Sequence, residues 1–282
     1  MLKNRFLSFI LVTLVYVIST IVGVITYNSL NFHFSINLLI ADVIATVVVF
    51  IFSLIFKNAS VYDPYWSVQP IIILGIFVIT NPFSVITLLP LIAILLWGIR
   101  LTINWAYTFK SLSHQDWRYT MLKEKTGLLY PFVNLFGIHL FPTFVVYLCV
   151  LPTIYLAKTT ISFNLWSIIF LCISLIGTII QTIADIQMHK FRKKKTGKFI
   201  RDGLWKYSRH PNYLGEIMMW WGIALYSLTN LLAYNWLIIG AVVNHLMFVF
   251  ISVPLAENHQ KSRKEGFDDY KNETRMFLPF HK

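Results

Sequence analysis

Eight apolar runs separated by short polar breaks dominate the chain, at about 6–27, 36–56, 68–80, 83–105, 131–157, 163–188, 212–230 and 235–256. A helix that crosses a bilayer core needs roughly 20 apolar residues, and all but the third run approach that length. The third, 68–80, predicts a partial or tilted helix. The fold class that follows is all-α, a polytopic membrane helical bundle of about seven to eight transmembrane helices. The first run is as long as a full span, and no small-x-small cleavage site follows it, so it reads as a helix and not a signal peptide. Residues 1–160 form a hydrophobic helical half with one long polar loop, about 106–130. Residues 161–282 read as a helix, a basic loop, a helical hairpin and a polar tail from Glu257.

Composition sharpens this picture. Of the 282 residues, 57% are hydrophobic and 13% charged, against about 25% charged in soluble domains. That excludes a soluble or disordered chain. The net charge of +12 would suit a nucleic-acid binder, but its distribution has another cause. With the N-terminus cytoplasmic and the spans alternating, Lys158 alone of the 24 Lys and Arg falls outside the cytoplasmic segments. This is the positive-inside pattern; it puts both termini in the cytoplasm and removes the need for a nucleic-acid partner. Cys149 and Cys172 lie in apolar runs without metal-ligand spacing, so neither a metal site nor a disulfide framework is expected.

Polar groups inside spans are costly and point to function. Asp42 in the second span reads as a lumen-facing or helix-capping carboxylate, and His139, Asn244 and His245 read as hydrogen-bonded packing residues. More informative are Gln181, Asp185, His189 and Arg192, at spacings of 4, 4 and 3. At 3.6 residues per turn these share an arc of roughly 80° on one helix face. The stripe suits a polar ligand entering from the cytosol, followed by the Arg192-Lys193-Lys194-Lys195 run. Ser208-Arg209-His210-Pro211-Asn212-Tyr213-Leu214-Gly215-Glu216 opens the seventh span. Pro211 suits a first helical turn, Asn212 and Glu216 share a face, and Gly215 admits a close neighbour, either backbone or ligand. A helix N-terminus beside two cations suits an anion. Asp63, in Tyr62-Asp63-Pro64-Tyr65-Trp66, is equally natural as a turn residue and as a hydrogen-bond donor or general acid. Asp116-Trp117-Arg118-Tyr119 either pins the long loop by ion pairs or covers a ligand.

The Ser208–Glu216 segment resembles the signature of the steroid 5-alpha-reductase family, nearest to its mostly bacterial branch of uncharacterised membrane proteins. The resemblance takes in Asp63 and Trp66, Leu96-Trp97-Gly98-Ile99-Arg100-Leu101, Asp116-Trp117-Arg118-Tyr119, Pro254-Leu255-x-Glu257, Tyr270-Lys271 and Leu278-Pro279-Phe280. It runs from about residue 60 onward and is strongest over 181–280. Isoprenylcysteine carboxyl methyltransferases and sterol C14 reductases carry related versions of the Arg-His-Pro-x-Tyr-x-Gly element.

The resemblance implies a membrane reductase whose C-terminal half binds NADPH from the cytosol. Gln181 stands where those enzymes have a cofactor-binding Asn, and Asp185, Arg192, Asn212, Tyr213 and Glu216 match. Arg209, His210 and Glu257 belong to the same cofactor-binding set, and His259 corresponds to a later cofactor-contacting His. Asp63 takes the place of the Glu, and Trp97 that of the Tyr, that hydrogen-bond a substrate ketone. An indole N–H donates a hydrogen bond but does not readily supply a proton, which argues against a 3-oxo-4-ene steroid as substrate. The expected reaction is reduction of a lipid-soluble conjugated enone or alkene drawn from the bilayer, with the 106–130 loop as a lid. A methyltransferase using S-adenosylmethionine, with Glu257 beside the cationic cofactor, is the first alternative. A non-catalytic lipid-binding protein is the second. A bacterial cell membrane fits better than the endoplasmic reticulum.

Overall fold

The structure is a computed structural model that describes residues 3–80, 85–158, 164–194 and 198–277. Lys195 and Leu278-Pro279-Phe280, singled out above, lie outside the described residues. Helices and turns make up the described chain, with no strand among the described residues. The helices are α1 (Arg5–Ser29), α2 (Phe34–Ile55), α3 (Tyr65–Thr80), α4 (Val85–Thr108), α5 (Trp117–Thr126), α6 (Tyr130–Phe132) and α7 (Phe141–Ala157). They continue with α8 (Leu165–Lys193), α9 (Leu204–Tyr207), α10 (Pro211–Leu228), α11 (Ile239–Met247), α12 (Val253–Lys261) and α13 (Phe267–Glu273). A π-helical stretch, Val133–Leu140, leads into α7.

Seven helical stretches among the described residues are long and apolar enough to cross a membrane. The protein is an integral, multi-pass membrane protein. The run at 212–230 does form a helix, α10, but Asn212 and Glu216 in its first turns leave it more polar than those seven.

The chain forms two compact units, residues 1–81 with 98–151, and residues 82–97 with 152–282. In the first unit α1 packs along α2. Its core gathers Val12, Val15, Tyr16, Val49, Tyr62 and Tyr65. The polar turn before α3 anchors the long loop. Asn58 donates to the carbonyls of Leu112 (2.8 Å) and His114 (3.0 Å), and Ser60 Oγ accepts from the Asp116 N–H (2.9 Å). Asp116 then caps α5 through the Arg118 N–H, and its carboxylate pairs with the Arg118 guanidinium at 2.8 Å. The 106–130 segment is thus a pinned helix-bearing loop. His139 is buried, with Nδ1 2.9 Å from the Asn134 carbonyl and its ring on Tyr62, the packing role expected of it.

The second unit is organised by the α8–α10 pair. Ser174, Gly177, Thr178 and Gln181 line the buried face of α8, and Gly215, Met219 and Gly222 that of α10. The glycines set the separation. A Cβ on Gly177 would come within 2.5 Å of the Gly215 carbonyl oxygen, and one on Gly222 within 2.6 Å of the Ser174 nitrogen. What approaches Gly215 is therefore the α8 backbone. Small residues at such a crossing let two membrane helices gain contact along their whole length. Gly177→Ala is expected to lower stability by about 1–3 kcal/mol through overpacking. Gly75→Ala in α3, where a Cβ meets nothing within 4 Å, should be neutral or slightly stabilising. Thermal denaturation of the two variants in one detergent compares them directly.

Candidate functional site

Three groupings hold the second unit's candidate residues. The first starts where α9 ends and α10 begins. Arg209 sits with its side chain buried, donating through Nε to Glu257 Oε1 at 2.8 Å. Its Nη1 reaches the carbonyl of Lys271 at 3.2 Å and also that of Thr274. His210 Nε2 lies 3.1 Å from the same Glu257 oxygen, and Lys271 Nζ lies 2.9 Å from the other, Oε2. Burial holds the His210 imidazole below its ordinary value, against the pull of the Glu257 carboxylate. With its proton on Nε2, the His210 ring donates to Glu257. The Arg209 and His210 N–H groups also bond the carbonyls of Arg275 (3.0 Å) and Met276 (3.2 Å). The cluster binds the tail against the start of α10. Tyr213, one turn on, stacks on His210 at 5.2 Å with rings 3° from parallel and meets Phe248 at 4.7 Å.

The second grouping lies deeper on α10. Glu216 is 4% exposed and accepts the Trp97 indole N–H at 2.9 and 2.8 Å through its two oxygens. Trp220, one turn along, donates to Oε1 at 3.0 Å. The Trp97 and Trp220 rings meet edge to face at 4.9 Å. The Trp97 N–H is thus committed to Glu216.

The third grouping is on the α8 face. Gln181 is fully buried, and neither its amide oxygen nor its nitrogen has a hydrogen-bond partner. Its side chain lies against Gly215. Asn212, one turn nearer the start of α10, carries an equally unpartnered Oδ1. Buried polar groups are nearly always hydrogen-bonded, so orphaned amides at one crossing are a ligand-shaped feature. Asp185 is half-buried one turn below Gln181, and Arg192, Lys193 and Lys194 are exposed where α8 ends. His259 is placed apart, beside Arg263, whose Nη1 lies 3.2 Å from His259 Nε2.

Asp63 belongs to the first unit. It is half-buried and accepts the Tyr119 hydroxyl at 2.5 Å. The Asp116–Tyr119 segment therefore pins the loop, and it also supplies the partner of Asp63. Sequence reasoning missed Tyr119 in that part, as it missed Lys271 and Trp220. Trp220 alone had a local signal, its i+4 spacing from Glu216.

Together these features define a class, an all-helical multi-pass membrane protein whose closely packed α8 and α10 carry buried, unpartnered amide groups. The chain belongs to the DUF1295 family, described as "protein of unknown function", whose profile matches residues 49–274. It is distantly related to 3-oxo-5-alpha-steroid 4-dehydrogenase 1, being 33% identical to the human protein over 122 residues, or 43% of this chain and 40% of that one. The rat protein of the same name is 32% identical over 108 residues, 38% of each chain. An uncharacterized protein of Schizosaccharomyces pombe is 25% identical over 220 residues, 64% of this chain and 62% of the relative. The matches thus span less than two thirds of these relatives. No solved structure matches the chain.

Proposed function

We propose that this protein is a membrane-bound, NADPH-dependent reductase of a lipid-soluble conjugated enone or alkene. The carrying observation is the buried Gln181 amide with both polar atoms unpartnered. Distant kinship with the steroid dehydrogenases supports the reading. The donor set fits NADPH in chemical type. Gln181 and Asn212 offer amide donors and acceptors for a carboxamide or ribose. The exposed Arg192, Lys193 and Lys194 suit phosphate charge, including the extra 2′-phosphate. When bound, NADPH supplies the hydride.

The chain's own residues do the rest. Asp185, half-buried one turn below Gln181, adds an acceptor to the stripe. Arg209, which sequence reasoning would lend to phosphate binding, is engaged by Glu257 and instead holds the tail in place. Trp97 fixes the Glu216 carboxylate and acts as a positioning residue. In the first unit, the Tyr119 hydroxyl donates to Asp63 and holds its carboxyl group in place. A protonated Asp63 presented to a carbonyl oxygen as negative charge grows there is worth roughly 2.7–4 kcal/mol in the transition state. In this reading residues 1–160 serve the hydrophobic substrate from the bilayer, 161–282 the cofactor, and both termini are cytoplasmic. The membrane is a bacterial cell membrane, and nucleic acid is no partner. An S-adenosylmethionine enzyme is disfavoured because Glu257, its natural sulfonium partner, is already neutralised by Arg209 and Lys271.

The test is cofactor binding by purified protein in detergent, read as a thermal shift with NADPH, NADH and S-adenosylmethionine. NADPH is expected to stabilise at saturating concentration, and Gln181→Leu, Asp185→Ala and Arg192→Ala to remove most of the shift. A shift with S-adenosylmethionine alone would replace the reductase with a methyltransferase. No shift with any of the three in folded protein would leave a non-catalytic lipid-binding protein as the reading.

A further inference from the structure

A second set of buried polar groups lies inside the first unit. Asp42 sits in the third turn of α2, only 4% exposed. It neither caps a helix nor faces outward, contrary to the sequence expectation. Its Oδ1 has no hydrogen-bond partner. The Gln69 side chain from α3 lies beside it, 8% exposed, and Gln69 Oε1 is likewise unpartnered. Tyr65, one turn earlier on α3, is 1% exposed. Its hydroxyl lies near those of Ser19 and Thr46 but in hydrogen-bonding geometry with neither. Ser19 is turned to the Tyr16 carbonyl, and Thr46 to Thr143.

Asp42, Tyr65 and Gln69 line one cleft. The other walls are mainly apolar, among them Leu38, Trp66, Ile73, Val146 and Val150. Three orphaned polar atoms in one membrane-embedded cleft are costly, because no solvent reaches them to make good the loss. Mainly apolar walls with a few placed polar groups are the common form of a small-molecule pocket.

The chemistry of the orphans selects the ligand. Gln69 Oε1 only accepts. Asp42 Oδ1 accepts when ionised. The Tyr65 hydroxyl both donates and accepts. A ketone or ester only accepts, so it would satisfy Tyr65 and leave the two carbonyl-type oxygens bare. An alcohol donates to Gln69 or Asp42 and accepts from Tyr65 with one oxygen. We propose that this cleft is a binding site for a neutral lipid alcohol, its hydroxyl donating to Gln69 or Asp42 and accepting from Tyr65, and its hydrocarbon lying along the apolar walls. The proposal does not rest on the reductase reading, because binding is read without NADPH.

The full chain in phosphatidylcholine nanodiscs is titrated with 1-tetradecanol, tetradecane and 2-tetradecanone, and binding is followed by native mass spectrometry and thermal shift. The alcohol is expected to bind and stabilise, and the alkane and ketone to do neither. Gln69→Leu should weaken the alcohol roughly tenfold, in line with the loss of one buried hydrogen bond. Asp42→Asn, which keeps shape and an acceptor, should weaken it less. If Gln69→Leu does not fold, Tyr65→Phe reports on the same hydroxyl. Equal binding of alcohol and alkane, tighter binding of the ketone, or alcohol affinity unchanged in both Gln69→Leu and Tyr65→Phe would each overturn the proposal. Wild-type protein that takes up no alcohol, its cleft polar atoms served by water alone, would overturn it too.

Discussion

Glu257→Leu is expected to cost about 3–5 kcal/mol and to release the tail from the start of α10. The reason is the asymmetry between a buried pair and half a pair. The Arg209 and Glu257 side chains are 5% and 6% exposed and meet at 2.8 Å. Replacing the carboxylate leaves a buried guanidinium with only backbone carbonyls to hold it. The same change takes the partner of His210, whose Nε2–H would then face leucine. Lys271 adds little, since its side chain is 52% exposed and solvent-facing pairs contribute at most about 1 kcal/mol. Glu257→Gln keeps the acceptor while losing the charge, so its loss should fall between wild type and Glu257→Leu. Thermal melts give the ranking. Hydrogen exchange over residues 267–277 should show the tail opening first. Wild-type protection there in Glu257→Leu would mean that α13 is held by its other contacts, Phe267 and Tyr270 against Phe199.

The membrane helices were legible because a continuous apolar run has few other fates. Helix α10 was legible for another reason, since Pro211 marks a first turn and Asn212 and Glu216 repeat at four residues. Gly215 announced a close neighbour, yet nothing near it in sequence said whether that was ligand or backbone. Gly177, 38 positions earlier, decides it. The candidate site was harder. The stripe of Gln181 and Asp185 follows from helical period alone, and the structure adds that the Gln181 amide is sealed in and unpaired. Glu257 reads from sequence as a cofactor ligand, but its partner Arg209 is 48 residues away, and such pairing leaves no local trace. Asp63 and Tyr119, 56 apart, are the same case. Trp97 stood out as a substitution for a tyrosine. Its bond to Glu216, 119 residues on, shows the indole serving a carboxylate of the same chain.

Glu216→Leu is the other change with a large expected effect, about 2–6 kcal/mol. Its carboxylate is the acceptor for two indole N–H groups, on Trp97 at 0% exposure and Trp220 at 1%. Leucine fills much of the space but accepts nothing, and each stranded buried donor costs about 1–3 kcal/mol. No solvent in the membrane interior can take over. The converse is the sharper test. If the loss comes from stranded donors, removing them should restore stability. Trp97→Phe and Trp220→Phe keep aromatic rings in the 4.9 Å edge contact and delete the N–H groups. The triple variant with Glu216→Leu should therefore melt above Glu216→Leu alone, although the smaller rings leave cavities. A triple variant less stable than the single one would mean that aromatic packing, and not the carboxylate, sets the geometry around Trp97. The cofactor readout separates structure from function. Folded Glu216→Gln that keeps its NADPH shift would confine Glu216 to holding the two tryptophans, whereas loss of the shift with folding intact would place the carboxylate among the groups that bind the cofactor.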